Sequence, residues 1–600
     1  MDIYVPFSIL ASVYILCSRP VVGTETTYAE TNVGTFKGYV RTVNAFGTNY
    51  RVRRFLGVPY AEPPVDNLRF QKTVRKSSFT GEYDATEMKP ACLQTNVALI
   101  SGGKRKKGLA VKYSEDCLYL NIYAPDGKNP RYPVMIYIHG GAYVCGSPIP
   151  YKGDILSAYG EVIVVTISYR LSVWGFLSTG DKYMPGNYGL WDQHEAIKWV
   201  YDNIDAFGGD PNTIVVFGTS AGGASAIWQS VFPGNAGIIK RAIAMSGSLT
   251  NPWGFNKHPI KATRRYAKLF GCDQDNSKEL AGCIRSKSSS ELHYFLNDNH
   301  GFITFPMEFI PTRDGDFIPE YPEVLLHRNS AKSKVYRETF GDVDFMTGVV
   351  AGEGIVAILP IVGVNDTEQF QVTRQKFEGE LTTKIAKTYF GESSPDIVRK
   401  MIISEYTDWS ETFNDTIARR AYIKASGDWL FNIQTIEAIN AHAAQRRKNS
   451  YLYFNEAQVS QHVLTYPSWS DQPNHVDDLS LWFGFDPEDG FATWTSPFGE
   501  NPADWEMRAS KAVITIVTNF VKTGDPHTPA DIGSMVGEGV RWPQYTREGG
   551  DFFCLGNDRY KKGKNLFARA FNFWTKLIPD VISAVRGTYG YCDRDGGCGD

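Results

Sequence analysis

The chain has 600 residues, with 62 Lys and Arg against 65 Asp and Glu, a formal charge of −3 that gives no reason to invoke nucleic acid. Its 42% hydrophobic content can fill a large core, and its 56 glycines, 33 tyrosines and 13 tryptophans are spread without a Pro/Ser-rich linker or an internal repeat. That evenness excludes a string of small modules and favours one large α/β domain, over 24–580, between a short leader and a tail.

The leader comes first. Val5 to Cys17 is an apolar run too short to span a bilayer comfortably, and Val21-Val22-Gly23 offers a cleavage site, so residues 1–23 are expected to be a secretory signal peptide. No later segment is long and apolar enough to span, and the polar, cysteine-containing tail at 581–600 argues against a lipid-anchor signal. Cysteine usage agrees with an oxidising compartment: Cys92 and Cys117 flank a Gly/Lys-rich loop, Cys272 and Cys283 flank a short polar one, and both pairs are expected to be local disulfides. Cys17 leaves with the signal, Cys145 and Cys554 sit in apolar surroundings as buried thiols, and Cys592 and Cys598 pair in the tail or with another chain. Asn365-Asp366-Thr367 and Asn414-Asp415-Thr416 are glycosylation sequons, compatible with secretion.

Four short continuous apolar runs then mark strands covered on both faces: Pro133–Ile138, Glu161–Ile167, Ile214–Phe217 and Arg241–Met245. Between them, Ala196, Ile197, Val200 and Ile204 recur at helical spacing within Tyr188–Ile204. Alternating strands and helices imply a mostly parallel central sheet with helices on both faces. From about Phe255 to Trp482 helices and long loops are expected to form a cap. Helices return at Asp504–Lys522 and Asn565–Leu577.

The third strand runs directly into Gly218-Thr219-Ser220-Ala221-Gly222-Gly223-Ala224. This is G-x-S-x-G between a strand and a small-residue helix, the context in which the motif holds a nucleophilic serine on a strained turn. Glycines at 218 and 222 remove side chains that would collide with neighbouring elements, and the helix amino end favours developing negative charge. The first strand ends in His139-Gly140-Gly141-Ala142-Tyr143, a glycine turn whose Gly141 and Ala142 amides, with that of Ala221, would form an oxyanion hole. His139 is assigned to ordering this loop rather than to catalysis.

With these motifs the sequence resembles the type-B carboxylesterase and cholinesterase family of the α/β-hydrolase fold over nearly all of its mature length. The resemblance is carried by Phe55–Ala61, Pro64–Phe70, Glu115–Asn121, Phe207–Pro211, Thr523–Pro526 and Trp542-Pro543 in the family's order. It implies the rest of a catalytic triad. Gly348–Gly354 matches the family's G-x-x-x-x-E-G and marks Glu353 as the acid, following Phe309–Pro319, which resembles the segment before it. His475-Val476-Asp477-Asp478-Leu479, ahead of Phe483-Gly484, marks His475 as the base. Asp314 is the rival acid, read as a turn residue. His442 on a helical pattern and His462 in a polar loop are the rival histidines.

Departures from the family narrow the substrate. Cholinesterases place a tryptophan in the first disulfide loop to stack on the quaternary ammonium; Leu93–Asp116 has none and carries Lys104-Arg105-Lys106-Lys107 instead. Thr219 stands where cholinesterases carry a glutamate, and Gln472 replaces the glycine three residues before the histidine. The resemblance places Trp253, Phe305, Met307 and Phe309 at or near the acyl pocket, and Ser246-Gly247-Ser248 as hydrogen-bonding support. The expectation is a secreted serine carboxylic-ester hydrolase without cofactor or metal, acting on a small-molecule or lipid ester and not specific for choline. Two alternatives remain beside it: a catalytically silent cholinesterase-like adhesion or binding protein, and a lipase or sterol esterase of the same fold.

Overall fold

The computed structural model describes residues 25–94, 111–127, 131–293, 307–327, 330–358, 372–390, 396–411, 414–460, 462, 464, 469–486, 502–557 and 559–589. The expected signal peptide, Cys17, the 104–107 basic run, Phe305, Asn365, Cys592 and Cys598 lie outside them.

The α/β-hydrolase architecture follows from the buried apolar runs. Thirteen strands among the described residues form one sheet. Its central part is parallel: β8 (Tyr132–Ile138), β9 (Ile163–Ile167), β10 (Gly209–Thr219), β11 (Ile239–Met245), β12 (Asp344–Val350), β13 (Ser450–Asn455) and β14 (Asp551–Leu555), in spatial order β9-β8-β10-β11-β12-β13-β14. An antiparallel wing, β1 (Thr26–Thr31), β2 (Gly34–Ala45), β3 (Thr48–Pro59) and β7 (Tyr119–Pro125), extends it beyond β9. The short β4 (Glu82–Asp84) adds to β2, and β15 (Tyr560–Lys564) closes the far edge antiparallel to β14. A separate pair, β5 (Ala91–Cys92) and β6 (Tyr113–Ser114), spans the base of the first cysteine loop.

Side chains alternate along each parallel strand, and that alternation makes two cores. Val134, Ile136 and Ile138 of β8 and Ile214 and Val216 of β10 point to one, where the helices α2 (Tyr188–Asn203) and α3 (Ala221–Val231) lie. Met135, Tyr137, Val215 and Phe217 point to the other, covered by α1 (Asp154–Gly160) and α6 (Asp504–Thr523). A buried bidentate pair of Arg54 on β3 with Asp154 on α1, both contacts 2.7 Å, ties the antiparallel wing to the second layer. Removing one partner of such a pair leaves an uncompensated buried charge, at a cost of about 3–5 kcal/mol.

The span expected to be all cap corrects in one respect: Asp344–Val350 and Ser450–Asn455 inside it are strands of the main sheet. Each is a short, almost wholly buried run between helical segments, which length and periodicity alone do not separate from buried helix. The rest of the span is helical, including α4 (Asp415–Gly427) and α5 (Ile433–Ala443), joined through a π-helical turn at Asp428–Asn432. At the C-terminus helix continues beyond the expected Leu577 to Tyr589, through a second π-helical turn at Phe573–Leu577. Both expected disulfides form, Cys92–Cys117 and Cys272–Cys283, and Cys145 and Cys554 are buried free thiols.

Candidate active site

The parallel strands deliver the candidate residues to one edge. Ser220 follows the last residue of β10, Ser246 that of β11, Glu353 lies three residues past β12, and His475 sits in the loop region after β13. Carboxyl ends of parallel strands are where open α/β sheets place their ligand sites.

Ser220 has φ 58° and ψ −125°, a region sparsely populated by residues with side chains, and it caps α3 without a side-chain cap bond. Its backbone is fixed on both sides: its N–H donates to the Met245 carbonyl at 2.8 Å, and its carbonyl accepts from the Ala224 N–H at 3.0 Å. The turn fits only because of its glycines. A Cβ at Gly222 would strike the Ile138 carbonyl oxygen, and one at Gly218 the Gly222 carbonyl. The hydroxyl-bearing residue itself is half-buried rather than sealed in the core.

The turn after β8 lies against this elbow. A Cβ at Gly140 would meet the Thr219 carbonyl oxygen and stand 3.1 Å from the Ser220 Cβ. Gly141 and Ala142 follow with φ of 109° and 57°, and the Gly141 carbonyl accepts the N–H groups of Val144 and Cys145, both at 3.0 Å. The Gly141 and Ala142 amides in this turn, and the Ala221 amide at the start of α3, are the expected oxyanion donors. His139 orders the loop as expected. Its Nδ1 donates to the Gly140 carbonyl at 2.8 Å, its ring stacks on Tyr169 at 4.4 Å, and the Tyr169 hydroxyl donates to its carbonyl at 2.8 Å. Burial lowers its pKa to about 4, so it is neutral near pH 7.

Glu353 and His475 come together. The His475 Nδ1 donates to Glu353 Oε2 at 2.5 Å, and both side chains are buried. The other carboxylate oxygen accepts from the Ser246 hydroxyl at 2.5 Å and from the Val350 N–H at 2.9 Å, so the carboxylate cannot rotate away. The loop carrying His475 is pinned by the Gly352 N–H donating to the Pro473 carbonyl at 3.0 Å. Below it Asp478 is buried, with its Oδ2 accepting from the Tyr453 hydroxyl at 3.0 Å. Burial, then the nearby Glu353 charge, pushes the Asp478 carboxyl up to about 7.

The rivals are engaged in other contacts. Asp314 holds a turn, accepting from the Ile318 N–H at 2.8 Å and the Asn187 amide at 3.0 Å. His442 is buried between the Ser450 hydroxyl and the Val343 carbonyl, and His462 meets Asp477 at 2.8 Å.

Among the described pocket candidates, Trp253 is the one joined to the His475 side through ring contacts. Its indole N–H donates to the Leu430 carbonyl at 2.9 Å, and its ring centroid is 5.5 Å from that of Phe431. Phe431 in turn leans on the His475 ring at 4.4 Å. Phe309 is buried against Tyr266 at 5.3 Å, and Met307 packs on the same core from a partly exposed position. Phe431 was not legible as a site residue, because Asp428–Asn432 reads as one more apolar stretch of cap helix. Among the described residues no group of His, Cys, Asp and Glu is placed to hold a metal ion.

The profile of the carboxylesterase family matches residues 25–574. The chain belongs to the carboxylesterase family. Within it, the chain is 33% identical over 578 residues to bile salt-activated lipase of Bos taurus, covering 92% of this chain and 88% of that one. It is 31% identical over 574 residues to neuroligin-2 of Mus musculus and 30% identical over 598 residues to neuroligin-3 of Homo sapiens. This carboxylesterase-family chain spans 65% of the length of the neuroligin-2 relative. No helix among its described residues is long and apolar enough to cross a membrane.

Proposed function

We propose that the protein is a secreted serine carboxylic-ester hydrolase with Ser220 as nucleophile, His475 as general base and acid, and Glu353 as the group that orients the imidazole. The observation that carries this is the Glu353–His475 hydrogen bond, presented at the same sheet edge as a serine on a positive-φ elbow. The Ser220 hydroxyl attacks the ester carbonyl while His475 Nε2 takes its proton. Glu353 accepts the Nδ1 proton, fixes the tautomer and stabilises the imidazolium. The Gly141, Ala142 and Ala221 amides receive the oxyanion, each contributing about 3–4 kcal/mol to the transition state. His475 then protonates the departing alcohol, and the acyl-enzyme is released by water that His475 deprotonates.

An apolar acyl site around Trp253 and Phe431 favours esters of small apolar acids, and the bile salt-activated lipase relative favours lipid esters as further substrates. Two disulfides support an oxidising compartment, and the exposed Asn414 is the described candidate for glycosylation. The domain is taken as 24–580. An intact His475–Glu353 pair speaks against the silent binding-protein alternative, since a binding protein has no use for a fixed tautomer.

The test is hydrolysis of p-nitrophenyl acetate by the purified chain and by Ser220→Ala. Turnover that falls about 10⁴-fold or more in the variant is expected. A folded wild-type chain with no turnover would remove the proposal, and choline esters hydrolysed as well as aryl esters would remove the stated substrate range.

A further inference from the structure

Away from the site described above, a groove of about 730 Å³ lies at the opposite, amino end of the parallel strands. Two loops make it. The first is Ala443–Ser450, which runs from α5 into β13 and carries Arg446, Arg447 and Lys448 in succession; the second is Gln544–Glu548 and carries Arg547. The loops are tied together at the floor, where the Tyr545 N–H donates to the Ser450 carbonyl at 2.8 Å and the Gln544 amide to Asn449 Oδ1 at 3.1 Å.

The charge is uneven. Arg446 meets Glu548 at 3.2 Å and Arg447 meets Asp342 at 2.6 Å, both across exposed pairs that solvent weakens. Lys448 and Arg547 are exposed and have no ion pair among the described residues. Four cations and one carboxylate, Glu548, therefore line a single concavity, with Asp342 beside Arg447 and Asp344 near Lys448, on a chain whose formal charge is −3. A positive concavity on a negative molecule attracts anions selectively to that spot.

We infer that this groove is a binding site for a small organic anion carrying at least two carboxylate or phosphate groups. Guanidinium forks match both groups in bidentate geometry. Two acidic groups are required because the unpaired cations stand on opposite loops, Lys448 on one and Arg547 on the other. The volume lies in the range of small-molecule sites and is too large for one inorganic ion to fill. The site is separate from the ester chemistry, since β13 lies between the groove and the His475 end, a length of roughly 20 Å.

The test is isothermal titration of the full chain with citrate as the carboxylate source and fructose 1,6-bisphosphate as the phosphate source, at fixed ionic strength. Saturable one-to-one binding of one of them is expected, weakened about tenfold or more in Lys448→Glu/Arg547→Glu. The anion bound more tightly identifies the source. Circular dichroism shows whether that variant is folded, and the milder Lys448→Gln/Arg547→Gln replaces it if it is not. No saturable binding of either anion by the wild-type chain, or equal binding by a folded variant, would overturn the inference. The readout is binding alone, so its failure is distinct from a failure of ester hydrolysis.

Discussion

At the scale of single residues, the site is a set of side chains whose freedom has been removed. Glu353 is held by Ser246 and Val350 as well as by His475, and His475 has Phe431 against its ring. Phe431 therefore touches two candidate site residues, the Trp253 ring on one side and the imidazole on the other. Phe431→Ala is expected to lower kcat/KM for aryl esters about 10–100-fold while Ser220 remains in place, because small displacements of a base cost that much. Steady-state kinetics with short and long acyl chains check it; unchanged kinetics on both would show that the ring contact is idle. This contact was hidden in the sequence. Ser220 announces itself through its glycines and flanking strand, and the loop glycines at 140 and 141 do so almost as clearly. Glu353 and His475 are far apart along the chain and were found only through motifs of the family. Phe431 has no motif at all: a phenylalanine in a buried helical segment looks the same whether it faces a base or a core.

Among elements, the strand-turn-helix around Ser220 is the part the chain encodes most sharply. The apolar run Ile214–Phe217 lies within β10, and the small residues after it allow α3 to pass close to β8. Gly222 is the tightest point, because the atom a side chain would meet is the Ile138 backbone carbonyl, which cannot swing aside. Gly222→Ala is expected to destabilise the fold by about 1–3 kcal/mol and to lower activity by displacing the elbow. Chemical denaturation with parallel ester kinetics measures both, and a variant as stable as the parent would mean the turn has room to relax. The strands β12 and β13 were less legible than β8 to β11. Their sequences, with Thr347, Gly348 and tyrosines among the apolar residues, lack the uninterrupted β-branched character of Glu161–Ile167, and both are buried on each side. Only their place in the sheet distinguishes them from cap helix. The π-helical turn at Asp428–Asn432, which presents Phe431 and the Leu430 carbonyl to the site, leaves no periodicity signal because it adds one residue to an otherwise regular helix.

For the whole molecule, buried neutral histidines tie stability to pH. Burial lowers the pKa of His442, on α5 between β12 and β13, to about 4, from an ordinary value of 6.5. Between those values the unfolded chain binds a proton that the folded chain does not. The contribution of His442 is therefore complete above pH 6.5 and is lost as pH falls toward 4. Asp478 acts in the opposite sense: its carboxyl is raised to about 7, so its contribution is complete below the ordinary carboxylate range and is lost as pH rises through 7. His442→Gln cannot take up the proton. The stability gap between wild type and this variant is expected to shrink by up to about 3 kcal/mol from pH 7 to pH 4. Urea unfolding at the two pH values checks it, and a gap that widens toward acid would reverse the assignment of His442 as neutral.

The same large scale holds the central claim, that a whole carboxylesterase-family fold converges on one reactive serine. Incubating the intact protein with an organophosphate and locating the adduct by mass spectrometry tests it most directly. The account predicts one adduct per chain, on Ser220, with labelling much slower in His475→Ala. A folded protein that stays unlabelled, or one labelled at another residue, would contradict it.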